Sequence, residues 1–260
     1  MSARPGGELF DLSGRVAVVT GGGRGIGRAI SEALARYGAT VVAGGRRPEP
    51  LAETVAAIRE AGGEAWSHPL DVTEEASVLA LRDAVLERHG RIDILINNAG
   101  IDPHYAPLEK TSFEEWRKIL DVNLSGVFRC CRHLGAAMLE RGGGAIVNVS
   151  SIAGRVAFRR QVPYCASKGG VEMLTRALAL DWADRGVRVN AVAYAFILTD
   201  LTRGITGHEH LSKRLLARTP MGRFGRVEET VGAVVFLAAE GASSYVTGTT
   251  VMVDGGWTAA

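Results

Sequence analysis

Short apolar runs alternate with longer helical patterns along almost the whole chain. A short apolar run between turn residues is typical of a strand buried in a parallel sheet. Such runs predict seven strands, at Arg15–Thr20, Thr40–Ala43, Glu64–Pro69, Ile92–Asn97, Ala145–Val149, Val187–Val192 and Thr249–Val253. The stretches between them predict helices at Gly25–Tyr37, Pro48–Ala61, Glu74–His89, Ser112–Leu139, Pro163–Asp184 and Val227–Ala239. Because parallel strands need crossover helices, the alternation predicts a single α/β domain over residues 1–260, with a doubly wound seven-stranded parallel sheet covered by helices on both faces.

Composition excludes several classes of function. The 260 residues carry a formal net charge of only +2, which gives no electrostatic basis for binding nucleic acid or an anionic membrane. The three cysteines have neither a disulfide pattern nor the spacing of a metal site, so we expect a reduced protein without metal. No apolar run resembles a signal peptide or a membrane span, so we expect a cytoplasmic protein.

The stretch from Phe196 to Arg226 follows neither period clearly. It is polar and contains glycine, which is typical of a mobile lid over a binding site. Arg203, His208 and His210 lie within it and are candidates for contact with an acidic or hydroxylated substrate.

A glycine-rich turn joins the first predicted strand to the first predicted helix. It contains Gly21, Gly23, Arg24, Gly25, Ile26 and Gly27. Glycines allow the backbone to turn sharply and to approach a pyrophosphate, which the N–H groups and dipole of the helix N-terminus then bind. The strand before the turn and the helix after it supply the context of a Rossmann-type dinucleotide site.

The glycine spacing, Gly-x-x-x-Gly-x-Gly, resembles that of the short-chain dehydrogenase/reductase family, and the resemblance continues along nearly the whole chain. It implies a nicotinamide cofactor bound at the glycine turn. It also implies further contacts after the third, fourth and sixth strands. The matching residues are Asp71 and Val72 beside the adenine, Asn98, Ala99 and Gly100 in an Asn-Asn-Ala-Gly signature, and Ile197 and Thr199 at the nicotinamide carboxamide.

Basic residues stand where a dinucleotide fold places the group that selects the cofactor. An acidic residue after the second strand would bind the ribose 2′-hydroxyl of NAD, but this chain has Arg46 and Arg47 there. Two guanidinium groups suit a 2′-phosphate, and Arg24 is close enough in the chain to join them. The pattern predicts NADP(H) rather than NAD.

Tyr164 and Lys168 stand four residues apart on a predicted helix, so their side chains share one face. An ammonium group near a phenol favours the phenolate, so we expect Lys168 to lower the pKa of Tyr164 and to fit it for proton exchange. The family resemblance assigns the other roles. Ser151, favoured over Ser150 by its offset from the tyrosine, would orient the carbonyl oxygen. Lys168 would also bind the nicotinamide ribose, and Asn123 would position a water for proton exchange.

The chain departs from the family pattern after the sixth strand, where Tyr194 and Ala195 replace Pro-Gly. Alanine is disfavoured where glycine adopts φ > 0, so we expect the pair to reshape the substrate pocket.

The residues together predict an NADP(H)-dependent oxidoreductase that interconverts a small ketone and a secondary alcohol, with Tyr164 as acid/base. A sugar-acid substrate and a 3-oxoacyl thioester remain alternatives, as do a related chemistry such as enoyl reduction and a catalytically silent NADP-binding regulator. The resemblance also implies a homotetramer.

Overall fold

Seven parallel strands form the centre of the molecule and confirm the predicted fold class. The computed structural model describes residues 8–199, 202 and 208–259. The strand order is β3-β2-β1-β4-β5-β6-β7. The chain therefore reverses its direction of winding between β1 and β4, and this is where open α/β sheets bind ligands. The strands are β1 Val16–Thr20, β2 Thr40–Gly45, β3 Ala65–Pro69, β4 Ile94–Asn97, β5 Gly144–Ser151, β6 Val187–Tyr194 and β7 Thr250–Val253.

Helices cover both faces of this sheet. They are α1 Gly25–Arg36, α2 Pro48–Glu60, α3 Glu75–His89, α4 Phe113–Leu120, α5 Gly126–Cys130, α6 Ala136–Arg141, α7 Val162–Trp182, α8 Glu209–Ala217, α9 Val231–Ala238 and α10 Glu240–Ser243. Among the described residues no helix is both long and apolar enough to cross a bilayer.

Two apolar clusters form the core, one on each face of the sheet. Successive strand residues point to opposite faces, so neighbours in β1 belong to different clusters. Val19 packs with Leu34 of α1 in one cluster. Val18 packs with Leu81 of α3 and Val171 of α7 in the other. Packing of the sheet between these two clusters positions the carboxyl ends of the strands along one edge.

The predicted helix at Ser112–Leu139 is a continuous rod with two irregular turns. Ser112 caps it, because its hydroxyl accepts a hydrogen bond from the Glu115 backbone and the Glu115 carboxylate accepts one in return. Two π-helical turns, Asp121–Ser125 and Cys131–Gly135, join α4, α5 and α6. The first carries Asn123, consistent with the frequent placement of π-bulges at functional sites.

The predicted lid contains a helix that the sequence pattern did not indicate. The helix α8 begins after His208, whose imidazole accepts a hydrogen bond from the Leu211 backbone. His208 thus acts as a helix cap, and His210 lies exposed in the first turn. Arg203 lies outside the described residues.

Tyr194 and Ala195 are accommodated without the backbone strain that the departure from Pro-Gly suggested. Ala195 does not have a positive φ, so the expected penalty for replacing glycine does not arise. The Tyr194 side chain is buried in the core, and its hydroxyl donates a hydrogen bond of 2.8 Å to the Thr230 carbonyl oxygen. The bond ties the end of β6 to the turn that precedes α9.

Tyr194→Phe tests this tie. The substitution leaves the buried Thr230 carbonyl without its donor, so we expect the free energy of unfolding to fall by about 1–3 kcal/mol. Tyr37→Phe is the matched control, since that ring is largely exposed. Chemical denaturation of both variants measures the difference. Equal stabilities for the two would show that the hydrogen bond contributes nothing.

Candidate active site

The glycine turn closes against the end of β4 with no room for side chains. A Cβ atom on Gly27 would lie 2.1 Å from the Gly21 carbonyl oxygen and 2.4 Å from the Asn98 amide nitrogen. Gly21 itself has a φ of 66°, a conformation that glycine adopts without penalty. The turn therefore exposes bare backbone and the N-terminus of α1, the arrangement that a pyrophosphate requires.

Thr20 and Asn98 fasten this turn to the neighbouring strand. The Thr20 hydroxyl accepts hydrogen bonds from the backbone N–H groups of Asn98 and Ala99, at 3.0 and 2.9 Å. The Asn98 amide in turn donates to the carbonyl oxygens of Thr20 and Gly21, at 2.9 and 3.2 Å. The Asn-Asn-Ala-Gly segment thus fixes the shape of the turn.

A groove of about 330 Å³ runs along the carboxyl ends of the strands. It brings together every residue that the sequence predicted for the cofactor. These are Gly21, Gly23, Arg24, Gly25, Ile26, Gly27, Arg46, Arg47, Asp71, Val72, Asn98, Ala99, Gly100, Tyr164, Lys168, Ile197 and Thr199.

The groove has a basic end beside β2. Arg24, Arg46 and Arg47 are exposed there, with Arg46 Nη1 4.0 Å from an Asp71 carboxylate oxygen. The pKa of Asp71 lies below its ordinary value, because hydrogen bonds from Thr73 and the charge of Arg46 together outweigh burial. The end of β2 carries no acidic side chain.

Tyr164 and Lys168 meet at the opposite end of the groove. The Lys168 ammonium lies 5.7 Å from the centre of the Tyr164 ring and donates a hydrogen bond of 2.8 Å to the Val149 carbonyl oxygen. Burial lowers the pKa of Lys168 to about 8.

The predicted direction of the Tyr164 pKa shift is wrong. Burial is the main cause that raises the pKa of Tyr164 to about 12; the neighbouring Asp102 charge acts in the same direction, and the hydrogen bond with Ser151 only partly opposes them. The reason is that the buried, weakly polar surroundings of the phenol disfavour the charged phenolate.

The two serines at the end of β5 have different environments. The Ser151 hydroxyl adjoins the Tyr164 phenol and accepts a hydrogen bond from the Ala153 backbone. Ser150 also lines the groove, and its hydroxyl is buried without a hydrogen-bond partner among the described residues. The contact with the phenol favours Ser151 as the residue that orients a carbonyl oxygen.

Asn123 is fully buried and faces the loop after β4 rather than the groove. Its side chain accepts a hydrogen bond from the Ile101 N–H at 2.8 Å and donates one to the Ile101 carbonyl at 2.9 Å. It also donates to Ser167, next to Lys168, at 3.3 Å. Asn123 therefore connects the loop after β4 to the helix that carries Tyr164 and Lys168.

Sequence reasoning missed several residues of the site. Pro50, Leu51 and Leu70 line the adenine side of the groove, and only their positions beside predicted strand ends could have indicated this. Sequence reasoning placed Asp102 only within the segment after Asn98 that we expect to contribute to the substrate pocket, and it assigned the carboxyl group no part in the charge of the site.

These residues fit a dinucleotide. The side-chain-free cradle at Gly21 and Gly27 admits a pyrophosphate, the arginines suit a phosphate at one end, and the unpartnered Ser150 hydroxyl lies in the groove at the other. When bound, a nicotinamide dinucleotide would supply a hydride donor or acceptor beside Tyr164.

Comparison with known proteins agrees with this geometry. Residues 21–258 match a family model described as enoyl-(acyl carrier protein) reductase. The chain is 42% identical over 251 residues to gluconate 5-dehydrogenase of Gluconobacter oxydans, covering 96% of this chain and 97% of that protein. It is 43% identical over 259 residues to D-threitol dehydrogenase of Mycolicibacterium smegmatis, covering 96% and 95%.

A solved structure shows the same architecture. It is a gluconate 5-dehydrogenase from Burkholderia cenocepacia in complex with NADP and tartrate, and it superposes with a TM-score of 0.94 at 40% identity, covering 98% of this chain and 99% of that one. With the family model and the relatives in agreement, the chain belongs to the classical short-chain dehydrogenase/reductase family of oxidoreductases.

Proposed function

We propose that this protein is an NADP(H)-dependent enzyme that interconverts a ketone and a secondary alcohol. The observation that carries the proposal is the placement of Tyr164, Lys168 and Ser151 at one end of the groove whose other end holds the phosphate cradle. Hydride transfer to a carbonyl needs a proton donor beside the oxygen, and the phenol is placed for that role.

Tyr164 is in the protonation state that carbonyl reduction requires. With a pKa near 12, its phenol keeps its proton at neutral pH. As hydride reaches the carbonyl carbon, the oxygen gains negative charge and takes the proton from Tyr164. Alcohol oxidation reverses the transfer, and the positive charge of Lys168 then stabilises the phenolate.

The neighbouring side chains orient the substrate and return the proton. The Ser151 hydroxyl holds the carbonyl oxygen at the phenol. Lys168 has a pKa near 8, so it can give and regain a proton near neutral pH. Asn123 anchors the loop beside Lys168 and supports the path by which the pair exchanges protons with solvent.

The arginines at the basic end support NADP(H) as the cofactor. Both Arg46 and Arg47 line the groove beside the end of β2, where an NAD-binding chain would carry an acid. The Burkholderia cenocepacia relative was crystallised with NADP.

The names of the relatives favour a polyhydroxylated substrate. Gluconate 5-dehydrogenase and D-threitol dehydrogenase act on a sugar acid and a polyol respectively by their names. A 3-oxoacyl thioester is the second candidate, since 3-oxoacyl-[acyl-carrier-protein] reductase of Synechocystis is 39% identical over 246 residues.

Tyr164→Phe tests the proposed chemistry. Removal of the proton donor should lower kcat by about 10²–10⁴-fold, the usual contribution of a general acid, while the dissociation constant of NADPH stays unchanged. Tyr105→Phe is the matched control, because that ring is exposed in the neighbouring loop. Initial rates and NADPH fluorescence titration give the two readings. A Tyr164→Phe enzyme with the original rate would overturn the proposal.

A double substitution, Arg46→Ala with Arg47→Ala, tests the cofactor assignment. Loss of charge-assisted bonds worth about 1.5–3 kcal/mol each should weaken NADPH binding by at least tenfold and leave NADH binding nearly unchanged. Arg36→Ala at the far end of α1 is the control. Equal weakening of both cofactors would argue against recognition of the 2′-phosphate.

We also propose that the chain forms a homotetramer. Large apolar side chains are exposed on the helices beside the sheet, with Phe113 71% and Leu180 84% accessible. Exposed apolar residues of this size favour burial against another subunit.

Light scattering after gel filtration tests the assembly. We expect a mass near four times the 27.5 kDa of one chain, and a smaller species for Leu180→Arg, because a charge would be buried in the interface. Glu60→Arg, on the exposed end of α2, should keep the larger mass. A monomeric wild-type protein would contradict the proposal.

A further inference from the structure

The loop after β4 places a buried carboxyl group beside the site. One oxygen of Asp102, Oδ2, accepts a hydrogen bond of 2.5 Å from the side-chain amide of Gln161. The other, Oδ1, is buried and has no hydrogen-bond partner among the described residues. Burial of a carboxylate in such a position costs free energy unless a nearby positive charge compensates it.

The backbone that carries Asp102 lies directly against Lys168. A Cβ atom on Gly100 would be 3.8 Å from the lysine ammonium and 3.5 Å from the Asn123 side-chain oxygen. The Asn123 side chain forms hydrogen bonds with both the backbone N–H and the backbone carbonyl of the next residue, Ile101. The segment that leads to Asp102 is therefore held beside the lysine ammonium.

A second set of contacts fixes the same loop to the start of α7. The Ala106 N–H donates to the Arg160 carbonyl at 3.1 Å, and the Arg160 guanidinium lies 5.6 Å from the centre of the Tyr105 ring. Among the described residues, Arg160 is the only non-glycine with a positive φ, at 64°. The contacts hold Arg160 in this uncommon conformation.

The negative charges of Asp102 and Glu172 both oppose the lowering of the Lys168 pKa by burial. The two carboxylates differ in how far neighbouring groups neutralise them. Glu172 has Arg155 3.7 Å away and a hydrogen bond from Thr250. Asp102 receives its hydrogen bonds from uncharged groups, the Gln161 side-chain amide and the His104 backbone, and no ion pair neutralises it among the described residues.

The remaining charge near Asp102 comes from its own loop. His104 is buried there, and its two ring nitrogens are within hydrogen-bond distance of the Thr111 hydroxyl and the Glu115 carboxylate. The charges of His104 and Lys168 favour the Asp102 carboxylate, but burial outweighs them and raises its pKa to about 6. Asp102 is therefore mostly ionised at neutral pH and becomes neutral in mild acid.

We propose, building on the function given above, that Asp102 is a positioning residue for Tyr164 and Lys168. Its carboxylate supplies the buried negative charge that holds Lys168 as an ammonium ion. The Asp102 charge also acts on Tyr164, both directly and through the charge of Lys168, and thereby sets the pH at which the phenol loses its proton.

The lysine can be observed directly, without substrate or cofactor. The chain has only four lysines, Lys110, Lys118, Lys168 and Lys213, so isotope-labelled lysine gives few NMR signals. The Lys168→Arg variant identifies the signal of Lys168, whose pKa burial lowers to about 8. Titration of the full-length protein then gives its midpoint.

Asp102→Asn keeps an acceptor for Gln161 and removes the charge, while Gln161→Met keeps the charge and removes the hydrogen bond. We expect Asp102→Asn to lower the midpoint of Lys168 by about half a unit to one unit, the effect of one charge at several ångströms in partly buried surroundings. Gln161→Met should leave that midpoint in place.

An unchanged midpoint in Asp102→Asn would overturn this inference, and so would an equal shift in both variants, which would assign the effect to loop position. The outcome is independent of the proposed reaction, because the titration involves no turnover. A fully active Tyr164→Phe enzyme would refute the reaction and leave the lysine measurement intact.

Discussion

The site depends on one close approach between two pieces of backbone. The turn after β1 and the end of β4 are joined by Thr20 and Asn98, whose hydrogen bonds to each other's backbone leave no space for a Cβ at Gly27. This approach is possible because β1 and β4 are neighbours in the sheet, where the winding reverses. It creates the bare cradle, and it also sets the start of the loop that passes over Lys168.

The same junction determines which charged groups lie near Lys168 and Tyr164. The loop after β4 brings the Asp102 carboxyl to the lysine, and Asn123 holds the loop in place from the first π-helical turn of the rod. Burial raises the pKa of the phenol and lowers that of the ammonium, so each group is pushed toward its neutral form. A buried carboxylate opposes this for the lysine, and a bound oxidised nicotinamide would add positive charge beside the phenol. Proton transfer in this account depends on the balance of these charges.

The sequence predicted the sheet, most of its helices and the cofactor-binding candidates that line the groove, because strand ends and glycine spacing are local signals. It did not predict α8 or the lining residues Pro50, Leu51 and Leu70. It did not predict the direction of the Tyr164 pKa, since i, i+4 spacing reports proximity and not burial. Nor did it indicate the role of Tyr194, whose partner Thr230 is distant in the chain. The electrostatic effect of Asp102 on Lys168 was not predicted for the same reason, because only the fold brings Asp102 near Gln161 and Lys168.

The central claim is that hydride passes from NADPH to a carbonyl carbon in this groove. Deuterium at C4 of the reduced nicotinamide can be followed into products from simple ketones, 5-ketogluconate and 3-oxoacyl thioesters. We expect deuterium on the carbinol carbon of at least one of these products. Failure to reduce any of the carbonyls, or transfer only to the carbon–carbon double bond of an enoyl substrate, would contradict it.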